Sequence, residues 1–311
     1  MNAPIPNSIT RRTSPDGFIV VAVLWILGAL ATLVSIYTVY VIDTAVAFGV
    51  HDDRLRAEAL VSAAVELTAY QLTVTAESRP MHGRFSFRMG QASVAVEFRS
   101  EAARIDLNAA PKELLVGLFA TLGARRDEAE RYASRVISWR TPPPKDQDPE
   151  AQAYRTAGLR YAPRGARFPH VSELSLVLDL PIALVERALP FVTVYSGRPQ
   201  VNALDAAPEV IAALPGMTRD RLNAVLAQRQ ATPENGQVLM PLLGPAQGYV
   251  TMEASKASRV TVRIAFDNGR RTSSEVVILM FEEGTEPYSV LSWRDELDEL
   301  RADDGLRMSL R

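Results

Sequence analysis

Apolar and polar positions divide the chain into three patterns. Residues 18–42, FIVVAVLWILGALATLVSIYTVYVI, carry no charge and lie between Asp16 and Asp43. At ~1.5 Å per helical residue this run can cross a hydrocarbon layer about 30 Å thick, and it predicts a transmembrane helix. Beyond Asp43 the apolar positions thin to Val46, Val50, Ala57, Leu60, Ala64, Leu67 and Leu72, spaced mostly for one helical face. Asp52, Asp53, Arg54, Arg56 and Glu58 lie between them. One helix from about residue 18 to 72 is expected, half in lipid, with its outer half packed on a soluble domain. Gly49 is where it would bend.

The second pattern is alternation. Phe85, Phe87 and Met89, then Val94, Val96 and Phe98 beyond Gly90-Gln91, predict a β-hairpin. Val260, Val262, Ile264 and Phe266 alternate in the same way and run into Asp267-Asn268-Gly269. The Asn-Gly pair predicts a tight turn into residues 276–281, whose six consecutive apolar side chains predict a strand buried on both faces.

Between these strands, residues 106 to 244 are rich in Ala, Leu, Glu and Arg and show no strand pattern. Helix starts repeat there: Leu107-Asn108-Ala109-Ala110-Pro111 returns as Leu204-Asp205-Ala206-Ala207-Pro208, each followed closely by glutamate. Asn108 and Asp205 are candidate caps, and proline in a first helical turn gives up no internal bond. Each start leads into a helical hairpin, one turning at Leu122-Gly123-Ala124 and the other at Leu214-Pro215-Gly216-Met217-Thr218. A third helix pair is expected to begin at Ser172 and break at Leu180-Pro181. The fold class expected is α+β: a long N-terminal transmembrane and amphipathic helix, then a small antiparallel sheet carrying a large inserted helical domain of SAM-like or helix-hairpin-helix type. Two domains in plain tandem are the alternative. The expected divisions are 1–17 leader, 18–42 membrane helix, 43–105 outer helix and first strands, 106–245 insert, 246–294 closing strands and 295–311 tail.

Charge and composition narrow the chemistry. The chain has 34 basic and 36 acidic residues for a net charge of −2, so no bulk attraction draws it to nucleic acid. Absence of cysteine removes disulfides, thiol nucleophiles and cysteine-held metals. The three histidines, His51, His82 and His170, are too scattered for a metalloprotease motif, and pairing Asp106 or Asp146 with His170 comes without a nucleophile elbow or a phosphate loop. No catalytic residue is assigned. Arg11 and Arg12 outnumber Asp16 before the membrane run, which places residues 1–17 in the cytoplasm and the bulk across the membrane. A cleaved secretory signal would have a shorter apolar core and a small-residue cleavage site.

The segment Ser14-Pro15-Asp16-Gly17-Phe18-Ile19 resembles the processing site of type IV prepilins and pseudopilins. The resemblance implies cleavage by a prepilin peptidase after Gly17 and methylation of the new terminal amine on Phe18. Ala22 then stands at the fifth mature position, where most subunits of that family carry a glutamate that pairs with a neighbour's terminal ammonium. A lone carboxylate in lipid is costly, and Ala22 has nothing to offer such an ammonium. Further phrases, Ile105 to Pro111, Val136 to Arg140, Val171 to Leu174, Thr193 to Gly197 with Val201-Asn202, and Tyr288 to Arg294, resemble the K-type minor pseudopilin of type II secretion. That resemblance implies a non-enzymatic subunit of the bacterial inner membrane at the tip of a pseudopilus. Its implied partners are the I- and J-type minor pseudopilins, the major pseudopilin and the prepilin peptidase, with secreted cargo as a further candidate. It also implies calcium as the one candidate cofactor, on Asp146, Asp148 and Glu150, although this loop lacks the fuller acidic and glycine pattern of the family. The same hairpins admit a competing reading, a membrane-tethered DNA receptor using Arg219, Arg221 and Arg229. Asp220, Asp127, Glu128 and Glu130 offset the nearby charge, and nucleic acid is not expected as a partner.

Overall fold

The computed structural model describes residues 16–74, 79–143, 148–232, 236–283 and 285–296. The chain divides into two units, Met1–Ala59 and Leu60–Arg311, each considered by itself. The first element, α1 (Asp16–Val74), is assigned as one helix straight through Gly49. Within it Ile19–Val41 is apolar and entirely unburied, as suits a segment whose partner is lipid. Thr32, Ser35 and Thr38 turn their hydroxyls back to the carbonyls of Gly28, Ala31 and Val34, which satisfies them without water. The side chains of Val46 and Val50 lie outside the described ones.

In the second unit the buried stripe of α1 is Leu60, Val61, Ala64, Val65, Thr68, Ala69 and Leu72. Leu67, expected on that face, is 42% exposed. It lies about 100° from Thr68 and off the stripe once helical phase is set by the 60/61, 64/65, 68/69 pairs. The sheet follows as β1 (His82–Met89), β2 (Ala92–Ser100), β7 (Ala257–Phe266), β8 (Arg271–Met280) and β9 (Tyr288–Glu296) in that spatial order, all antiparallel. Its apolar face carries Val94, Val96, Phe98, Val260, Val262, Ile264, Val276 and Ile278. Tyr288 Oη donates to Glu66 at 2.8 Å, tying β9 to the helix. Phe98 lies so close over Gly83 that an added Cβ would meet its ring at 2.3 Å.

The tight turn expected at Asn268-Gly269 is a three-residue hairpin loop, closed by Gly269 N–H to Phe266 O at 3.0 Å with Gly269 at φ +86°. Burial on both faces of β8 holds for Val276, Val277 and Ile278, while Phe281 falls beyond the strand and is 42% exposed.

Strands β2 and β7 are direct neighbours although residues 101–256 separate them in sequence. That pairing makes the intervening helical module an insertion and excludes a plain tandem. At its neck Ser255 N–H donates to Ser100 Oγ at 2.8 Å and the two hydroxyls meet at 3.1 Å. The module contains α2 (Lys112–Thr121), α3 (Arg126–Arg140), α4 (Pro149–Thr156), α5 (Ile182–Ala188), α6 (Pro208–Ala212), α7 (Arg219–Ala231) and α8 (Met240–Leu243). Contrary to the expectation of a strand-free middle, it also holds two short parallel pairs. These are β3 (Ile105–Asp106) with β4 (Val192–Thr193), and β5 (Val201–Asn202) with β6 (Val250–Thr251). Two-residue strands are too brief to show a period. One core runs from Ile105 to Val250 and includes Ala246.

Candidate functional site

The module is built from two copies of one polar device. In the first, Asp106 ends β3 and folds the chain back: its Oδ1 accepts from Asn108 N–H at 2.7 Å, and Ala110 N–H bonds to its carbonyl at 2.8 Å. In the second, Asn202 ends β5, its Oδ1 accepts from Leu204 N–H at 2.9 Å, and Ala206 N–H bonds to its carbonyl at 2.9 Å. Both are Asx turns. Each turn is then gripped by an arginine from the end of a hairpin. Arg140 donates to the carbonyls of Leu107 (2.5 Å) and Ala110 (2.7 Å), and Arg229 to those of Ala203 (3.4 Å) and Ala206 (2.6 Å). The closing strands match too, since Thr193 Oγ1 accepts from Tyr195 N–H and Thr251 Oγ1 from Glu253 N–H.

Spatial equivalence therefore runs Asp106 to Asn202, one residue out of register from the Leu107/Leu204 alignment that the letters give. The helix caps change with it. Asn108 does not cap α2, which begins at Pro111 without a side-chain cap; instead it bonds both ways with the backbone of Phe168, at 2.9 and 2.7 Å. Asp205 pairs with His82 Nδ1 at 2.8 Å. The third helix start is capped by His170, whose Nδ1 accepts from Ser172 N–H at 3.1 Å, and leads into a 3₁₀ turn over Val171–Leu176 before α5.

Burial sets the electrostatics. It pushes the Asp106 carboxyl above its ordinary value, while the N–H groups of Asn108 and Gly197 pull the other way. Burial also lowers the guanidinium of both grips, opposed by Asp106 at Arg140 and by Asp205 at Arg229. Where the two copies touch, α2 meets α6. A Cβ on Gly117 would lie 1.8 Å from the carbonyl oxygen of Ala213, the residue at the equivalent place in the second copy.

A buried charge network fastens the module to the sheet. Glu101 Oε1 accepts from Arg259 Nε at 2.7 Å, its Oε2 from Arg259 at 3.2 Å and from Thr193 Oγ1, and Arg259 reaches Glu275 as well. Burial acts to lower Arg259, but Glu101 and Glu275 outweigh it and raise the guanidinium above its ordinary value. The sequence offered no signal for this network, whose members are far apart in the chain.

The residues singled out in the sequence lie in three places. Gly17 and Phe18 are in the first turns of α1, with their side chains outside the described ones, and Ala22 is partly exposed on the apolar span. Of the candidate calcium ligands, Asp146 lies outside the described residues. Asp148 caps α4, accepting from Ala151 N–H at 2.7 Å, and Glu150 is held by Arg135 at 2.7 Å. Arg135 also reaches Asp179 at 3.3 Å. Among the described residues no group of three acidic or histidine side chains converges for a metal. A guanidinium seated between Glu150 and Asp179 does not fit a calcium site, which needs six to eight oxygens around one point.

Most cations at the hairpin loops are already held, and Arg219, exposed at the start of α7, is the exception among the described residues. Both turn through left-handed glycines, Gly123 at φ +97° and Gly216 at φ +72°. Arg125 is paired with Asp127 and Glu128 at 3.2 and 3.3 Å, and Arg126 with Glu130 at 3.4 Å. Arg229 is consumed by its turn, Arg221 leans on Gly216 O at 3.4 Å, and Pro245 covers Gly216.

Residues 97–197 match the family described as Type II secretion system (T2SS), protein K. The matched stretch runs from β2 through the first copy to Gly197. The fold is similar to a chain in the crystal structure of the GspK-GspI-GspJ complex from the type 2 secretion system of enterotoxigenic Escherichia coli. That similarity has a TM-score of 0.56 at 15% identity and covers 79% of this chain and 98% of that chain. No curated protein matches the chain by sequence.

Proposed function

We infer that this chain, which resembles the K-type minor pseudopilins of type II secretion in its family match over residues 97–197 and in its fold, caps the tip of a pseudopilus and helps start its assembly. The observation that carries the reading is Ala22 within the apolar span Ile19–Val41. A filament subunit below the tip would need an acid there to neutralise the amino end of the subunit above, and a methyl group provides none. The inserted module adds a steric reason. It emerges between two neighbouring strands of the sheet, and its bulk is hard to repeat at the close spacing of a filament.

In this reading the chain sits in the bacterial inner membrane with residues 1–17 cytoplasmic. It is cleaved after Gly17, methylated on Phe18, and joined to I- and J-type minor pseudopilins above the major pseudopilin. Its role is structural, in protein export, with cargo contact at the exposed tip and no catalysis of its own. The DNA-receptor reading has the paired hairpins and the exposed Arg219 in its favour, but Arg125, Arg126 and Arg229 are spent on neighbouring acids and backbone carbonyls. Coexpression with a prepilin peptidase and sequencing of the mature terminus tests the proposal: a product starting at N-methyl-Phe18 is expected, and an intact leader would overturn it. Tagged chain should then retain I- and J-type partners through purification. Ala22→Glu should shift it from the tip into the shaft, as read by labelling along the filament.

A further inference from the structure

The outer face of the five-stranded sheet is polar, but its charge is unevenly distributed. Strand register places Arg88, Ser93, Ala265 and Arg271 in one cross-strand row and Ser86, Ala95, Arg263, Ser273 and, at the β9 edge, Glu296 in the next. The following row, Arg84, Glu97, Thr261, Glu275 and Arg294, is balanced. The first row and the second as far as Ser273 line a groove of about 860 Å³ to which, among the described residues, three arginines and no carboxylate contribute. Its floor is Ala95 and Ala265, too small to fill it, with Ser86 and Ser93 beside them.

The arginines differ in what already holds them. Arg88 is bound through both oxygens of Asp267 at 2.7 and 2.8 Å. Arg263 has only a long contact to Glu97 at 3.8 Å, 64% exposed. Arg271, which is exposed, makes no hydrogen bond or ion pair among the described residues. Strands lie ~4.8 Å apart and alternate residues ~7 Å apart, so Arg263 and Arg271 are about 8 Å from each other at Cα. That is close to the spacing of every second side chain in an extended peptide.

We propose that this groove is a docking site for an extended acidic segment of a partner protein, with carboxylates at alternate positions meeting Arg271 and Arg263 and the serine hydroxyls bonding its backbone. A polyanion such as DNA, or an anionic membrane, meets the field of a chain whose net charge is −2, whereas a short acidic segment meets only the local excess. The assignment rests on the sheet alone and stands apart from the tip-capping role.

The test uses the full chain in neutral detergent and a short fluorescein-labelled peptide of alternating Glu and Ser, read by anisotropy at low salt. Arg263→Glu with Arg271→Glu should weaken binding by about tenfold or more, and the neutral pair Arg263→Gln with Arg271→Gln by an intermediate factor. The same charge change elsewhere, Arg155→Glu with Arg160→Glu, should cost less than about twofold. A peptide of alternating Gln and Ser should not bind. Equal losses from the two charge-reversed pairs, or no measurable binding to the Glu peptide, would overturn the proposal. So would a single-stranded oligonucleotide or phosphatidylglycerol vesicles outcompeting the Glu peptide at the groove.

Discussion

The two copies in the helical module show which interactions a repeated fold keeps. Both retain an Asx turn at a strand end and an arginine that grips two carbonyls, yet their apolar contents have diverged. The first copy gathers Trp139, Tyr154, Tyr161 and Phe168 into one ring cluster, with centroids 5.7 to 6.4 Å apart. Tyr154 is anchored there by Leu178 N–H, which donates to its hydroxyl at 2.8 Å; burial raises that phenol to about 12. Among the described residues the second copy has no ring cluster, and α6 has five residues where α2 has ten. Core volume can be rebuilt from many side chains. A reversed backbone turn away from water has few ways to satisfy its carbonyls, so the polar grips persist.

The largest effect is expected where the copies touch. Gly117→Ala would drive a methyl into Ala213 O and should cost about 3 kcal/mol, read as a drop in the denaturation midpoint; a wild-type midpoint would break the close approach. Next come the grips. Arg140→Met strands two carbonyls bonded at 2.5 and 2.7 Å and should cost about 2 kcal/mol, whereas Arg229→Met loses one strong and one long bond and should cost about 1 kcal/mol. Equal losses would mean that the second grip is as tight as the first.

Exchanging the turn residues sharpens the comparison further. Asp106→Asn keeps Oδ1 but sets an amide against Gly197 N–H, now received by Oδ2 at 2.6 Å, and should cost about 1 kcal/mol near neutral pH. The wild-type carboxyl has a folded pKa raised above 3.8, so its buried charge is a cost at neutral pH that protonation relieves. As pH falls through that raised value toward 3.8, wild type should gain stability relative to the asparagine variant, measured by paired denaturant titrations. A gap constant with pH would remove Asp106 as the titrating group. The smallest effect belongs to the start of α4 in the first copy. With Glu150 held by Arg135, calcium or a chelator should move the melting temperature by less than about 1 °C.

Much of this architecture could be read from residue order. The apolar N-terminal helix, both hairpins of the sheet and the helical middle follow from runs, alternation and repeated starts that each extend over many residues. The failures share a physical cause. The two-residue strands, the Asp106/Asn202 register and the Glu101–Arg259 network depend on partners tens of residues away, and no local period encodes them. Asn108 and Asp205 illustrate the point: their local pattern suits a helix cap, but tertiary partners, Phe168 and His82, take their side chains. Asp148 does cap α4 as its position before Pro149 favours, which leaves less of its carboxylate for a cation.

The adjacency of β2 and β7 also governs the order of events during synthesis. A ribosome must deliver all of residues 101–256 before the central strand pair can zip, and a loose chain of that length is an entropic burden on closure. Once the module has collapsed on its own core, Ser100 and Ser255 are already neighbours and the remaining search is short. The sheet should therefore mature last, leaving its strand edges unpaired until the helices have set.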